Sequence, residues 1–111
     1  MISVLILTLN EEINIGDCLD SVAWADDVLV LDSGSEDRTV EIAREKGARV
    51  MHRAFDDFAS QRNYGLEEGA LRHDWVLHLD ADERVTPALR DALRGKADRG
   101  EHRAYRVPSK L

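Results

Sequence analysis

Trp75-Val76-Leu77-His78-Leu79-Asp80-Ala81-Asp82-Glu83 is the stretch on which the reading of this chain turns. Its aromatic and aliphatic side chains suit a buried, pleated strand. Asp80, Asp82 and Glu83 then arrive within four residues, where the chain has to leave the sheet. Carboxylates that close repel one another unless water, a cation or a donor network offsets the charge. Hard divalent cations take oxygen ligands, and magnesium sites commonly join one or two carboxylates to substrate phosphates. The stretch therefore reads as an Asp-x-Asp metal and nucleotide site at a strand's C-terminal end. The plainer alternative is an acidic loop ahead of a helix, and Glu83 either tunes the loop or simply precedes that helix.

Working outward, Thr86-Pro87 starts a helix, with Thr as N-cap and Pro at the first helical position. It carries Leu89 and Leu93 one turn apart and fades before the stretch from Gly95 to Gly100. Arg103 to Val107 reads as a last strand, broken by Pro108. Upstream, residues 2–8 are an apolar run with little alternation, as in a strand buried on both faces. After the turn Thr8-Leu9-Asn10-Glu11-Glu12, a helix from about Asn14 places Ile15, Leu19 and Val22 on one stripe. Asp27 to Asp32 is a second buried strand that ends in an acid. In the turn that follows, Ser33 and Glu36 have capping-box spacing, with Ser35 as the alternative cap. That helix runs to about Lys46 and stops at Gly47, where a left-handed residue commonly ends helices. Ala48 to His52 is a weaker strand, and a longer helix from Phe58 to Gly69 is expected to pack Phe58, Ala59 and Leu66 inward.

Strands and helices thus alternate as βαβαβαβαβ, which implies an α/β fold with a mostly parallel sheet covered on both faces. The chain stops at Ser109-Lys110-Leu111 after a strand, with no closing helix. It reads as a fold truncated after about its fifth strand.

Bulk properties narrow the function. At 111 residues the chain holds one domain at most. With 43% hydrophobic and 33% charged residues it fits a soluble globular protein rather than a disordered or membrane one. A net charge of -7 argues against nucleic-acid binding, so an anionic ligand needs a local metal, arginine or helix N-terminus. Cys18 is the single cysteine, which excludes an intrachain disulfide and favours a reducing compartment; inside a helix it reads as a packing residue. The first residues lack the basic start of a signal peptide, and no apolar run reaches transmembrane length. The expected location is the cytoplasm, with peripheral attachment to the inner membrane face as a variant.

In open parallel sheets, ligands bind outside the carboxyl ends of the strands where strand order reverses. Thr8, Asn10 and Glu11 follow the first strand, Asp32 and Ser33 the second, and Asp80 and Asp82 the fourth. An ionised carboxylate is a pure acceptor, suited to ribose hydroxyls and to the N–H of a base. Arg62, on the third helix, is a candidate bidentate donor to a base or phosphate. His78, between two leucines, reads as a sheet-face histidine before it reads as a ligand. There is no G-x-G-x-x-G after the first strand and no P-loop, which disfavours those nucleotide sites.

Four runs carry a family resemblance: Thr8-Leu9-Asn10-Glu11-Glu12, Asp32-Ser33-Gly34-Ser35-Glu36-Asp37-Arg38-Thr39, Gln61-Arg62-Asn63-Tyr64-Gly65 and Leu79-Asp80-Ala81-Asp82-Glu83. In order and spacing they resemble the inverting family 2 glycosyltransferases of the GT-A, Rossmann-like fold, over essentially the whole chain. Ser21-Val22-Ala23-Trp24-Ala25-Asp26-Asp27 and the run from Leu79 to Pro87 look most like enzymes that add glucose to the lipopolysaccharide inner core.

The resemblance implies that residues 1–111 are the nucleotide-sugar-binding part of such an enzyme. Thr8, Asn10 and Glu11 would line the nucleoside pocket, and Asp32 would accept from the uracil N–H. Arg62 would sit near the base or phosphates, Asp80 by the ribose or metal-bound water, Ala81 among the nucleotide-sugar-binding residues, and Asp82, with Asp80, on the Mn or Mg that bridges the diphosphate. The donor would be a UDP-hexose and the acceptor a glycan or lipid-linked sugar. In that family the general base and the acceptor elements follow the point at which this chain stops, and neither Glu83 nor Glu101 matches the base motif. The fragment is thus expected to bind donor without transferring sugar, and a sheet edge left open favours self-association.

A haloacid-dehalogenase-like phosphatase also uses D-x-D, but on its first strand and with Thr where this chain has Arg84. A receiver domain closes its third strand with an acid, where this chain offers Met51-His52. A non-catalytic nucleotide-binding or interaction domain is the remaining alternative.

Overall fold

The computed structural model describes residues 2–99 and 104–106. Along them run β1 (Ser3–Thr8), α1 (Ile15–Asp20), β2 (Asp27–Asp32), α2 (Thr39–Glu45), β3 (Arg49–His52), α3 (Phe58–Glu68), β4 (Val76–Asp80), α4 (Pro87–Arg99) and β5 (Ala104–Arg106). The sheet has the order β3-β2-β1-β4-β5, and each neighbouring pair is parallel. The expected last strand is present over its centre; Arg103, Val107, Pro108, Glu101 and the ending at residues 109–111 lie outside the described residues.

Topology places the site. The chain lays β1, β2 and β3 outward in one direction, then returns through α3 to set β4 against the other side of β1. Strand order reverses between β1 and β4, which opens a crevice at their C-terminal ends.

Alternate residues divide the core between the two faces. Val4 and Ile6 of β1, with Val30, Leu77 and Leu79, pack against Ile15, Cys18 and Leu19 of α1, Ala43 of α2 and Leu93 of α4. Leu5, Leu7, Leu29, Leu31 and Val76 face the other way, toward Tyr64 of α3. At the N-terminal edge, buried Asp27 locks three segments together. It accepts from Ser3 Oγ at 2.6 Å, from the Arg72 amide at 2.8 Å and from the Arg49 guanidinium at 3.0 Å.

Three expectations from the sequence need correction. First, α3 does not bury Phe58, Ala59 and Leu66; Phe58 is 67% and Leu66 37% exposed, and Ala59 is exposed as well. Its inward stripe is Gln61 and Gly65, continued by Gly69 just past its end. A Cβ on Gly65 would lie 2.7 Å from Leu5 Cδ1, and one on Gly69 2.4 Å from Leu29 Cδ2. The helix therefore rests on the sheet through bare backbone, which turns its larger apolar side chains outward.

Second, neither Ser33 nor Ser35 caps α2, which begins only at Thr39. Arg38 stands at its N-cap position without a side-chain cap, and Asp37 before it accepts from the Thr39 amide at 2.9 Å and from its hydroxyl. Third, α4 continues through Gly95 to Arg99. Its start is as expected, with the Leu89 amide donating to Thr86 Oγ1 at 3.1 Å. The stripe Ile15, Leu19, Val22 is buried, and Gly47 has the left-handed φ of 87° that ends α2.

Candidate functional site

The loop after β4 is closed on itself. The Asp80 amide donates to Glu83 Oε1 at 2.6 Å, and the Glu83 amide donates back to the Asp80 carbonyl at 2.9 Å. Glu83 thus ties the acidic loop and does not cap α4. Arg84 fastens the same loop to the start of α1, donating to the Glu83 carbonyl at 3.0 Å and to Asn14 Oδ1 at 3.3 Å. Ala81 is buried in this curl and Asp82 stands exposed at its tip. Cys18 lies beneath, its thiol 3.8 Å from the Asp80 carbonyl, and burial pushes it up to about 12. It packs; it does not react. His78 is buried on the sheet, its Nε2 3.9 Å from Asp80 Oδ1.

The loop after β2 is built around Asp32, which is 1% exposed. Oδ1 accepts from Thr8 Oγ1 at 2.8 Å and from Ser35 Oγ at 2.6 Å. Oδ2 accepts from the amides of Gly34 at 2.9 Å and Ser35 at 2.7 Å. Burial pushes this carboxyl up, but the hydrogen bonds from Ser35, Thr8 and Gly34 outweigh it and hold Asp32 below the ordinary carboxylate value. The loop after β1 is clamped to this one. Successive amides of Asn10, Glu11 and Glu12 donate to Ser35 Oγ, Thr39 Oγ1 and Asp37 Oδ2 at 2.8, 2.8 and 3.2 Å. Asn10 Oδ1 accepts in return from the Glu36 amide at 2.9 Å, and its φ of 53° suits an asparagine.

Between these loops, at the reversal of strand order, lies a cavity of about 440 Å³, within the range of small-molecule sites. Thr8, Glu11 and Ser33 line one side, Asp80, Ala81 and Asp82 another, and Leu7, Leu9, Phe55, Phe58 and Gln61 the rest. Of the expected residues, Thr8, Glu11, Asp80, Ala81 and Asp82 come together here. Asn10, Asp32 and Arg62 do not line the cavity: Asn10 and Asp32 hold its loops, and Arg62 is half-buried on α3.

Gln61, Phe55 and Phe58 are contributions that reading the chain missed. Gln61 was hidden by the assumption that α3 buries its apolar residues. The Phe55 and Phe58 rings meet edge to face at 5.0 Å and 70°, 45% and 67% exposed beside the cavity. An apolar pair this open in a small domain was the available signal.

Three carboxylates, Glu11, Asp80 and Asp82, face one space. They repel an anionic ligand unless a cation intervenes. Among the described residues no group of three or more His, Cys, Asp or Glu side chains is set to hold a metal ion. Asp80 and Asp82 nevertheless fit a hard divalent cation, since both offer oxygen alone and leave other positions to phosphate and water.

A family profile described as Glycosyl transferase family 2 matches residues 3–105. The chain belongs to glycosyl transferase family 2. An uncharacterized glycosyltransferase of Rickettsia bellii is 38% identical over 93 residues, covering 83% of this chain and 31% of that protein. The lipopolysaccharide core biosynthesis glycosyltransferase LpsC of Rhizobium meliloti is 33% identical over 97 residues, covering 83% of the chain and 35% of LpsC. Among solved structures, glucosyl-3-phosphoglycerate synthase from Mycobacterium tuberculosis in complex with uridine diphosphate superposes with a TM-score of 0.65 at 30% identity. That match covers 75% of this chain and 34% of the synthase. The same synthase has been crystallised with Mn2+, uridine diphosphate and glucosyl-3-phosphoglycerate. The chain spans about a third of the length of these relatives. The GT-A, Rossmann-like architecture is thereby established, and family membership removes the phosphatase and receiver alternatives. No helix among the described residues is long and apolar enough to cross a membrane.

Proposed function

We propose that residues 1–111 form the nucleotide-sugar-binding part of a metal-dependent, inverting glycosyltransferase. The observation that carries this reading is the convergence of Thr8 and Glu11 from β1 with Asp80 and Asp82 from β4 on one cavity at the reversal of strand order. Glu11 and Asp80, acceptors when ionised, suit ribose hydroxyls. Asp82, with Asp80, would hold Mn or Mg, whose charge offsets that of the leaving diphosphate. Asp32 and Asn10 enter as supports of the binding loops, and Arg62 is given no contact because it does not line the cavity.

A UDP-hexose donor is supported by the synthase bound to uridine diphosphate, and a lipopolysaccharide-core glycan as acceptor by the name of LpsC. In transfer, the acceptor hydroxyl displaces the diphosphate oxygen at the anomeric carbon and yields its proton to a general base. Donor binding is assigned to these residues. The base and the acceptor contacts are assigned to the part of the relatives' length that this chain does not span.

Calorimetric titration with uridine diphosphate, with and without Mn, tests the reading. The expected result is metal-dependent binding that weakens about a hundredfold, or about 2.7 kcal/mol, in Asp82→Ala, with unchanged circular dichroism. Binding that ignores both the metal and the substitution would overturn it.

A further inference from the structure

Asp80 and Asp82 face one cavity, and two carboxylates that share a space repel each other. Whatever holds the loop between them sets how much ordering a cation must still supply on binding. That loop is held from behind, by two residues that do not line the cavity, Glu83 and Arg84.

Glu83 is 6% exposed, an uncommon place for a third acid beside two others. Its Oε1 accepts from the Asp80 amide at 2.6 Å, and its own amide donates to the Asp80 carbonyl at 2.9 Å. One residue thus engages both polar groups of the Asp80 backbone and closes the turn that carries Ala81 and Asp82. Arg84 braces the same turn from outside. Its guanidinium donates to the Glu83 carbonyl at 3.0 Å, approaches the Ala81 carbonyl at 3.5 Å and reaches Asn14 Oδ1 at 3.3 Å. The Asn14 amide in turn donates to the Glu11 carbonyl at 3.0 Å. A chain of hydrogen bonds therefore joins Glu11 on one wall of the cavity to the Asp80–Asp82 loop on the other. One residue further on, the Val85 amide donates to Ser21 Oγ at 3.0 Å and fixes the loop's exit against the end of α1. The Ser33 side of the cavity has a separate support, Gln61 Nε2 donating to Ser33 Oγ at 3.0 Å, so the two sides can be perturbed independently.

We propose that Glu83 and Arg84 are positioning residues that hold Asp80 and Asp82 as a cation-binding pair before the ion arrives. Glu83 does so as a hydrogen-bond acceptor rather than as a charge, and Arg84 fastens the pair to the wall that carries Glu11. This rests on the donor-site reading above and adds to it which side chains set the affinity for the ion.

The test is calorimetric titration with uridine diphosphate, with and without Mn, read as the ratio of the two affinities. Glu83→Met fills the buried space without an acceptor. The ratio is expected to fall about tenfold or more in it, as when a residue that orients a metal ligand is lost, with the metal-free affinity unchanged. Glu83→Gln keeps an acceptor for the Asp80 amide and is expected to retain most of the ratio. A merely structural role would lower Tm in Glu83→Met and weaken both affinities alike; the unchanged ratio would overturn the inference. A ratio lost as fully in Glu83→Gln as in Glu83→Met would assign the effect to the charge and overturn it too. Arg84→Ala removes a side chain that is 35% exposed, carries the same expectation, and decides the matter if Glu83→Met does not fold. A ratio that survives in Arg84→Ala and Glu83→Met overturns this inference alone. Binding that ignores Mn in the unaltered chain would overturn the donor-site reading with it.

Discussion

Asp32 and Asp82 are both acids at the C-terminal edge of one parallel sheet, and their surroundings make them opposites. Asp32 is 1% exposed and accepts four hydrogen bonds from Thr8, Gly34 and Ser35. Asp82 is exposed at the tip of a loop that Glu83 closes by accepting from the Asp80 amide. A carboxylate surrounded by donors has become part of the fold, and one that folding leaves open is available to a ligand. What separates a structural acid from a binding one is how many donors the neighbouring backbone turns toward it.

Removing each acid in turn is the most direct way to break this contrast. Asp32→Ala strands two hydroxyls and two amides and is expected to cost about 3–4 kcal/mol. Urea unfolding would show it, and a loss under 1 kcal/mol would mean that the Asp32 network contributes little. Gly65→Ala comes next. Its new Cβ, 2.7 Å from Leu5 Cδ1, should push α3 off the sheet at about 1–3 kcal/mol and carry Gln61 away from Ser33. Both a lower Tm and weaker uridine nucleotide binding are expected, and a fall in Tm alone would separate α3 from the site.

Acid titration sharpens the comparison further. The carboxyl of Asp32 lies below its ordinary value in the fold, so its contribution is full above the unfolded value near ~3.9. It is lost as pH falls through the folded value. Stability should therefore drop below about pH 4, and Asp32→Asn should flatten part of that drop. Asp27, also held low by Arg72, Ser3 and Arg49 against its burial, accounts for another part. An identical acid limb in Asp32→Asn would refute the linkage. The smallest effect belongs to Asp82→Ala, which should change unfolding stability by less than about 0.5 kcal/mol while metal-dependent binding weakens about a hundredfold. Comparable stability losses in Asp32→Ala and Asp82→Ala would erase the distinction.

Most of the framework was legible in the chain. Ile15 and Leu19 marked α1 because burial needs one stripe at helical spacing, and Val22, past the end of the helix, is buried with them. Thr86-Pro87 marked its helix start because capping is local chemistry. Asp80 and Asp82 were legible as candidates for the site because acids clustered at a strand end repel one another unless something offsets their charge. The inward face of α3 was not legible. Glycines at 65 and 69 look like defects in a helix until the Leu5 and Leu29 side chains that demand them are known.

The alternation of apolar runs, caps and glycines was enough to specify a parallel α/β sheet, and four short motifs were enough to specify the family. Both depend on interactions within a few residues, or on periodicities that any stretch of chain displays alone. The division of labour at the sheet edge is a tertiary matter. Thr8 and Asp32 are 24 positions apart, and Gln61 and Ser33 are 28 apart. Their hydrogen-bond directions exist only once β1, β2 and α3 are packed together, because a hydroxyl's polarity is set by the partner it meets.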